Sequence, residues 1–128
     1  MIYLDSCAVI KLLVPEAESA ALASYLTSAN EPWVSSEVIV VEIHRALIRL
    51  EVDEQIKAQA AQLLHALAKI STSRILEEAS RLPGKHLRSL DALHLATALH
   101  VSPRQFITYD SRLSEEANNA GLDVFRPA

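Results

Sequence analysis

The stretch MIYLDSCAVIKLL narrows what the chain can fold into more than any other. Ile2, Tyr3 and Leu4 form an apolar, β-favouring run of the kind that makes a buried strand. Asp5 follows at once, and Ala8, Val9, Ile10, Leu12 and Leu13 then resume the apolar pattern. A carboxylate set between two buried segments must be paired, face a cleft or meet a cation, because an isolated buried charge is too costly. The fold therefore has to end a strand where Asp5 finds such a place. A second run, QFITYD, ends in the same way at Asp110.

Between these two runs, short apolar stretches alternate with longer helical ones. The residues after Asp5 read as a short helix ending near Pro15, and EAESAALASYLTSANEP as a helix broken by Asn30 to Pro32. WVSS reads as a short strand or turn, with Ser35 or Ser36 as N-cap of the buried helix EVIVVEIHRALIRL. DEQIKAQAAQLLHALAK, capped by Asp53, completes a helical hairpin. KISTS is expected as a strand, RILEEASRL as a helix ended by Pro83 and Gly84, and SLDALHLATALH as a helix capped by Ser89. QFITYD is a strand, SRLSEEANNAG a helix stopped by Gly121, and DVFRP a closing strand. This alternation predicts a single α/β domain over residues 1–128 with a mainly parallel sheet.

Bulk properties exclude several classes. Half of the 128 residues are apolar, enough for a chain this long to bury roughly two-thirds of its surface. No apolar stretch approaches the ~20 residues of a membrane span, and no basic flank precedes the first apolar run, so a cytoplasmic protein without membrane association is expected. The single cysteine, Cys7, cannot form an internal disulfide. With two glycines, the chain carries neither a dinucleotide fingerprint nor a phosphate-binding loop. The net charge of −4 argues mildly against nucleic-acid binding by bulk electrostatics, although two bound divalent cations would cancel it.

Ligands of parallel α/β sheets gather at the carboxyl ends of the strands. Asp5 and Asp110 both stand there, as metal ligands or as caps of the helices that follow; Ser6 is an alternative cap beside Asp5. Glu42 has Val38, Ile39 and Ala46 as helical neighbours, which sets it beside an apolar face, with a salt bridge to Arg45 or Arg49 as the alternative. Asp91 lies in the first turn of its helix, where negative charge suits the dipole. His94 is either a ligand or a structural histidine, and the remaining histidines lack zinc-site spacing. Oxygen ligands of this kind favour Mg²⁺ or Mn²⁺.

MIYLDSCAVIKLL, VSSEVIVVEIHRAL, LRSLDALHLATAL and FITYDSRL resemble, in order, the successive motifs of PIN-domain ribonucleases, and most closely those of VapC-type toxins from bacterial toxin–antitoxin pairs. The resemblance spans Met1 to Val124. It implies a three-layer α/β/α sandwich with a mainly parallel sheet of four to five strands. The family's four acids match Asp5, Glu42, Asp91 and Asp110, and its hydroxyl positions match Ser6 and Thr108. Cys7 departs from the pattern, standing where serine is frequent.

By resemblance, one or two Mg²⁺ or Mn²⁺ ions held by the four acids drive hydrolysis of phosphodiester bonds in selected RNA. The partners implied are the RNA, a small antitoxin that blocks the site, and a second copy in a homodimer. Lys11, Arg45, Arg49, Lys85, Arg88 and Arg112 are candidates to border the RNA cleft. A phosphatase with Asp5 as covalent nucleophile is a rival, but such enzymes carry a second Asp two residues on, where this chain has Cys7. The other rival is a catalytically inactive PIN-like scaffold that binds RNA or protein.

Overall fold

The apolar run that opens the chain forms the centre of a sheet. In the computed structural model, which describes residues 1–128, β1 (Ile2–Leu4) is buried at every position and pairs in parallel with β2 (Trp33–Ser36) on one side and β4 (Gln105–Ile107) on the other. β3 (Ala68–Ile70) and β5 (Val124–Phe125) extend the edges, giving five strands, all parallel, in the order β3-β2-β1-β4-β5.

Period-two alternation along β1 divides the core. Ile2 and Leu4 join Val9, Leu22, Ile43 and Leu64 under α1 (Ser6–Leu13), α2 (Ser19–Ala29), α3 (Ile39–Arg49) and α4 (Glu54–Ala66). Tyr3 points the other way, into a cluster with Val34, Leu95, Phe106 and Leu113 beneath α6 (Ser89–Val101) and α7 (Ser111–Asn119). Helices thus cover both faces, the expected three-layer α/β/α arrangement. α6 buries five consecutive residues, His94 to Ala98, because it lies between the sheet and α5 (Leu76–Ser80), whose Ala79 packs with Ile75 on Ala96.

Of the two caps offered for α1, Asp5 rather than Ser6 takes the role, its Oδ1 accepting from the Ala8 N–H at 2.9 Å. Two other caps differ from expectation. α3 begins after Val38 without a side-chain cap, because β2 runs on through Ser36 and the Glu37 N–H bonds Ile70. Ser89 is the first helical residue of α6, preceded by extended Arg88, and caps nothing. Asp53 does cap α4 through the Ile56 N–H.

Two boundaries also move. β3 ends at Ile70, and Thr72–Arg74 form a 3₁₀ turn, since the Ser71 hydroxyl accepts from the Ser73 N–H and turns the backbone out of the strand. α5 is correspondingly short. Gly121, at φ +92°, supplies the left-handed residue between α7 and β5.

Candidate active site

The sheet order reverses at the β1/β4 pair: the chain proceeds outward from β1 through β2 and β3, then returns to the other side of β1 as β4. In open parallel sheets the crevice for a ligand lies at this reversal, beyond the carboxyl ends of the strands. The residues found there are Asp5, just after β1, and Thr108 to Asp110, just after β4.

Asp5 is 3% exposed. One carboxylate oxygen takes the Ala8 N–H, the other the Thr108 hydroxyl, and the Cys7 thiol lies 3.0 and 3.1 Å from the two. Burial pushes the Asp5 carboxyl above its usual range, and these donors pull it only part of the way back. The Cys7 thiol is driven up by burial and by the Asp5 charge, so it stays protonated, and its sulfur accepts the Tyr109 N–H at 3.1 Å. A thiol therefore takes the place beside Asp5 that a serine hydroxyl would take. Thr108 touches Asp5 and also accepts the Asp110 N–H at 3.1 Å, whereas the Ser6 side chain lines the cleft without a hydrogen bond to any of the acids.

Glu42 does not pair with Arg45 or Arg49. Its Oε1 lies 2.6 Å from His94 Nε2, so the interaction joins α3 on one face of the sheet to α6 on the other. His94 Nδ1 is 2.8 Å from the Tyr3 hydroxyl, which in turn accepts the Ser36 N–H at 3.1 Å. Both imidazole nitrogens are thus occupied within the protein, and His94 is not available as a ligand. Sequence reasoning misses Tyr3 and Ser36; the signal for Tyr3 is a phenol within a fully buried strand, where its hydroxyl must find a partner.

Asp91 lies half-buried in the first turn of α6. Burial, and then the negative charge of Asp110, raise its carboxyl above the usual range. Asp110 is exposed and caps α7, accepting from the Arg112 and Leu113 N–H groups at 2.9 and 3.1 Å.

A cleft of about 810 Å³ is lined by Ser6, Cys7, Lys11, Glu42, Arg45, Arg49 and Tyr109 among others. Of the four acids only Glu42 lines it, while chain neighbours of Asp5, Asp91 and Asp110 (Ser6, Leu90 and Tyr109) form part of its wall. The Lys11 ammonium is engaged, at 2.7 Å from Glu18, 3.0 Å from Glu16 and 4.7 Å from the centre of the Tyr109 ring. Arg45 and Arg49 form no ion pair and are exposed, which leaves two guanidinium groups free on one wall. Lys85, Arg88 and Arg112 lie outside this cleft.

No three His, Cys, Asp or Glu side chains converge into a ligand cage. The donor set nevertheless fits a hard divalent cation. It is made of carboxylate oxygens, and the charges of Asp110 and Asp91 oppose each other. Burial raises both the Asp5 and the Asp91 carboxyls above the usual range, a penalty on their charged forms that a bound cation would offset.

Comparison with known proteins gives a consistent result. Residues 2–118 match the family model described as PIN domain. Ribonuclease VapC46 of Mycobacterium tuberculosis is 40% identical over 129 residues, covering 99% of this chain and 98% of that protein. The crystal structure of Mycobacterium tuberculosis VapC20, a sarcin–ricin loop cleaving toxin, superposes with a TM-score of 0.77 at 18% identity, covering 99% of this chain and 100% of that one. The structure of VapBC2 from Rickettsia felis, bound to a DNA fragment from its promoter, has a chain that superposes with a TM-score of 0.77 at 16% identity, with each chain fully covered.

Proposed function

The chain belongs to the PIN-domain family, and from that premise we propose that it is a divalent-metal-dependent endoribonuclease, the toxin of a toxin–antitoxin pair, acting through Asp5, Glu42, Asp91 and Asp110. The observation that carries this reading is the buried Asp5 carboxylate at the reversal of the sheet, next to a cleft with two unpaired arginines.

Asp5 and Asp91, with Asp110, would hold the divalent ion, Mg²⁺ or Mn²⁺. When bound, such an ion would offset charge on the scissile phosphate and lower the pKa of a water held there. The protein's own residues do the rest. Thr108, Cys7 and the Ala8 N–H fix the Asp5 carboxylate in one orientation. Glu42 holds one oxygen on His94, and its carboxylate borders the cleft, where it orients the attacking water. Arg45 and Arg49 take backbone phosphates of the RNA, which an acidic chain must attract locally rather than by its overall charge.

The antitoxin is a small protein that covers the cleft, and the toxin acts in the cytoplasm as a homodimer. The Rickettsia felis relative, solved as a VapBC2 assembly, supports the antitoxin part of this reading.

The test is cleavage of total cellular RNA by purified, antitoxin-free protein with Mg²⁺, with Mn²⁺, with chelator, and by Asp5→Asn. Discrete cuts that need metal and vanish in Asp5→Asn are expected. A folded protein that cuts nothing under any metal would replace the enzyme with an RNA- or protein-binding scaffold.

A further inference from the structure

Two buried polar residues stand behind the acids and line no part of the cleft: Tyr3 and His94, 0% and 1% exposed. They stand in line. The Ser36 N–H donates to Tyr3 Oη at 3.1 Å, Tyr3 Oη lies 2.8 Å from His94 Nδ1, and His94 Nε2 lies 2.6 Å from Glu42 Oε1. Packing locks the rings: Tyr3 stacks on Phe106 with centroids 5.1 Å apart and meets the His94 ring edge-on at 5.8 Å.

Proton placement follows from donor and acceptor rules. Tyr3 Oη already accepts from a backbone N–H, so its own proton is free to point at Nδ1. A neutral imidazole that accepts at Nδ1 has its one N–H at Nε2, and that N–H faces Glu42. With the Tyr3 proton directed at Nδ1, the direction of each bond follows from the one before it, from the carboxyl end of β2 to the cleft. Glu42 keeps one oxygen on this line, and Oε2 has no protein partner.

We infer that Tyr3 and His94 are positioning residues, a hydrogen-bonded line that fixes one imidazole tautomer so that Glu42 is held by Oε1 with its second oxygen free toward the cleft. The inference rests on the reading of Glu42 as a site acid. A core histidine needs only to have its nitrogens satisfied; this one spends its N–H on a cleft carboxylate from another helix. Residues that orient ligands in this manner change metal affinity or activity by roughly 10- to 100-fold when removed. The competing arrangement sends the Tyr3 proton to the Ser35 hydroxyl, which is buried beside it without a partner, and puts the His94 proton on Nδ1.

The first measurement is the long-range ¹H–¹⁵N spectrum of the full chain labelled at histidine. The inference requires a protonated Nε2 and a bare Nδ1 at His94, with the Nδ1 resonance moving in Tyr3→Phe. A proton on Nδ1, or a resonance indifferent to Tyr3→Phe, overturns it. The second pairs RNA cleavage with calorimetric binding of Mg²⁺ alone. His94→Leu is expected to lower kcat by about 10- to 100-fold at unchanged KM and to weaken Mg²⁺ binding, with partial rescue by His94→Gln, whose amide N–H can replace Nε2–H. Folded His94→Leu with wild-type kcat and Mg²⁺ affinity overturns the inference; if that variant fails to fold, Tyr3→Phe decides by the same two readouts. Glu42→Gln separates the two levels: if it cleaves as wild type, the reading of Glu42 has failed, whereas a dead Glu42→Gln beside an unaffected His94→Leu rejects the positioning line alone.

Discussion

Thr108 donates its hydroxyl hydrogen to the Asp5 carboxylate across 103 residues of sequence, from the end of β4 to the end of β1. The same oxygen accepts the Asp110 N–H at 3.1 Å, so one side chain ties two of the four acids together. Thr108→Val keeps the volume and removes both bonds. A buried acceptor left short of a donor costs about 1–3 kcal/mol, so the denaturant midpoint should fall, and cleavage should drop at least tenfold, with Thr108→Ser restoring both. An unchanged midpoint would show that the bond is not made.

Asp5 should trade stability for function. Burial raises its carboxyl above the unfolded value, so the folded chain holds this proton to higher pH than the unfolded chain does. The stability linked to Asp5 is complete below the unfolded value of about 3.9, declines as pH rises toward the raised value, and stays reduced above it. Asp5→Asn removes that penalty. In metal-free buffer at about pH 8 the variant should melt a few degrees above wild type, the margin should close near about pH 3–4, and Mg²⁺ should stabilise only the wild type. Thermal melts across pH, with and without Mg²⁺, decide the matter.

Arg45 and Arg49 should act on RNA binding rather than on chemistry. Replacing both by Gln should raise KM several-fold at unchanged kcat and flatten the salt dependence of binding by about one unit for each RNA phosphate no longer neutralised. An unchanged salt slope would remove them from the RNA path.

The helix starts offer a paired comparison. Asp53 caps α4 through Ile56, so Asp53→Ala should cost about 1 kcal/mol, while Ser89→Ala, at a position that caps nothing, should fall within about 0.5 kcal/mol of wild type. Urea unfolding of the two variants measures the difference directly.

Much of the frame is legible in the sequence because it depends on local patterns. A buried strand shows as an unbroken apolar run, and Asp5 and Asp110 betray the carboxyl ends of β1 and β4 by interrupting such runs. What stays hidden depends on partners far along the chain. Glu42 has arginines within helical reach, and local spacing favours them, yet His94, 52 residues on, takes the carboxylate because the two helices meet across the sheet end. The start of α3 escapes local reading for a related reason: Ser36 is held in the strand by its pairing with Ile70, and no local rule of capping contains that pairing.

The parallel register sets a schedule as well as a shape. Tyr3 pairs with Phe106, so the central strand has a neighbour on only one side until nearly the whole chain has been made. During synthesis, Asp5 emerges first, and Thr108 and Asp110 emerge among the last residues. A chain still being translated therefore lacks the β1–β4 pairing that brings Asp5 and Thr108 together. Making it requires the two ends of the domain to meet, the kind of distant pairing that forms slowly. A chain that stops before Gln105 lacks β4, and with it the Thr108 hydroxyl that holds the Asp5 carboxylate.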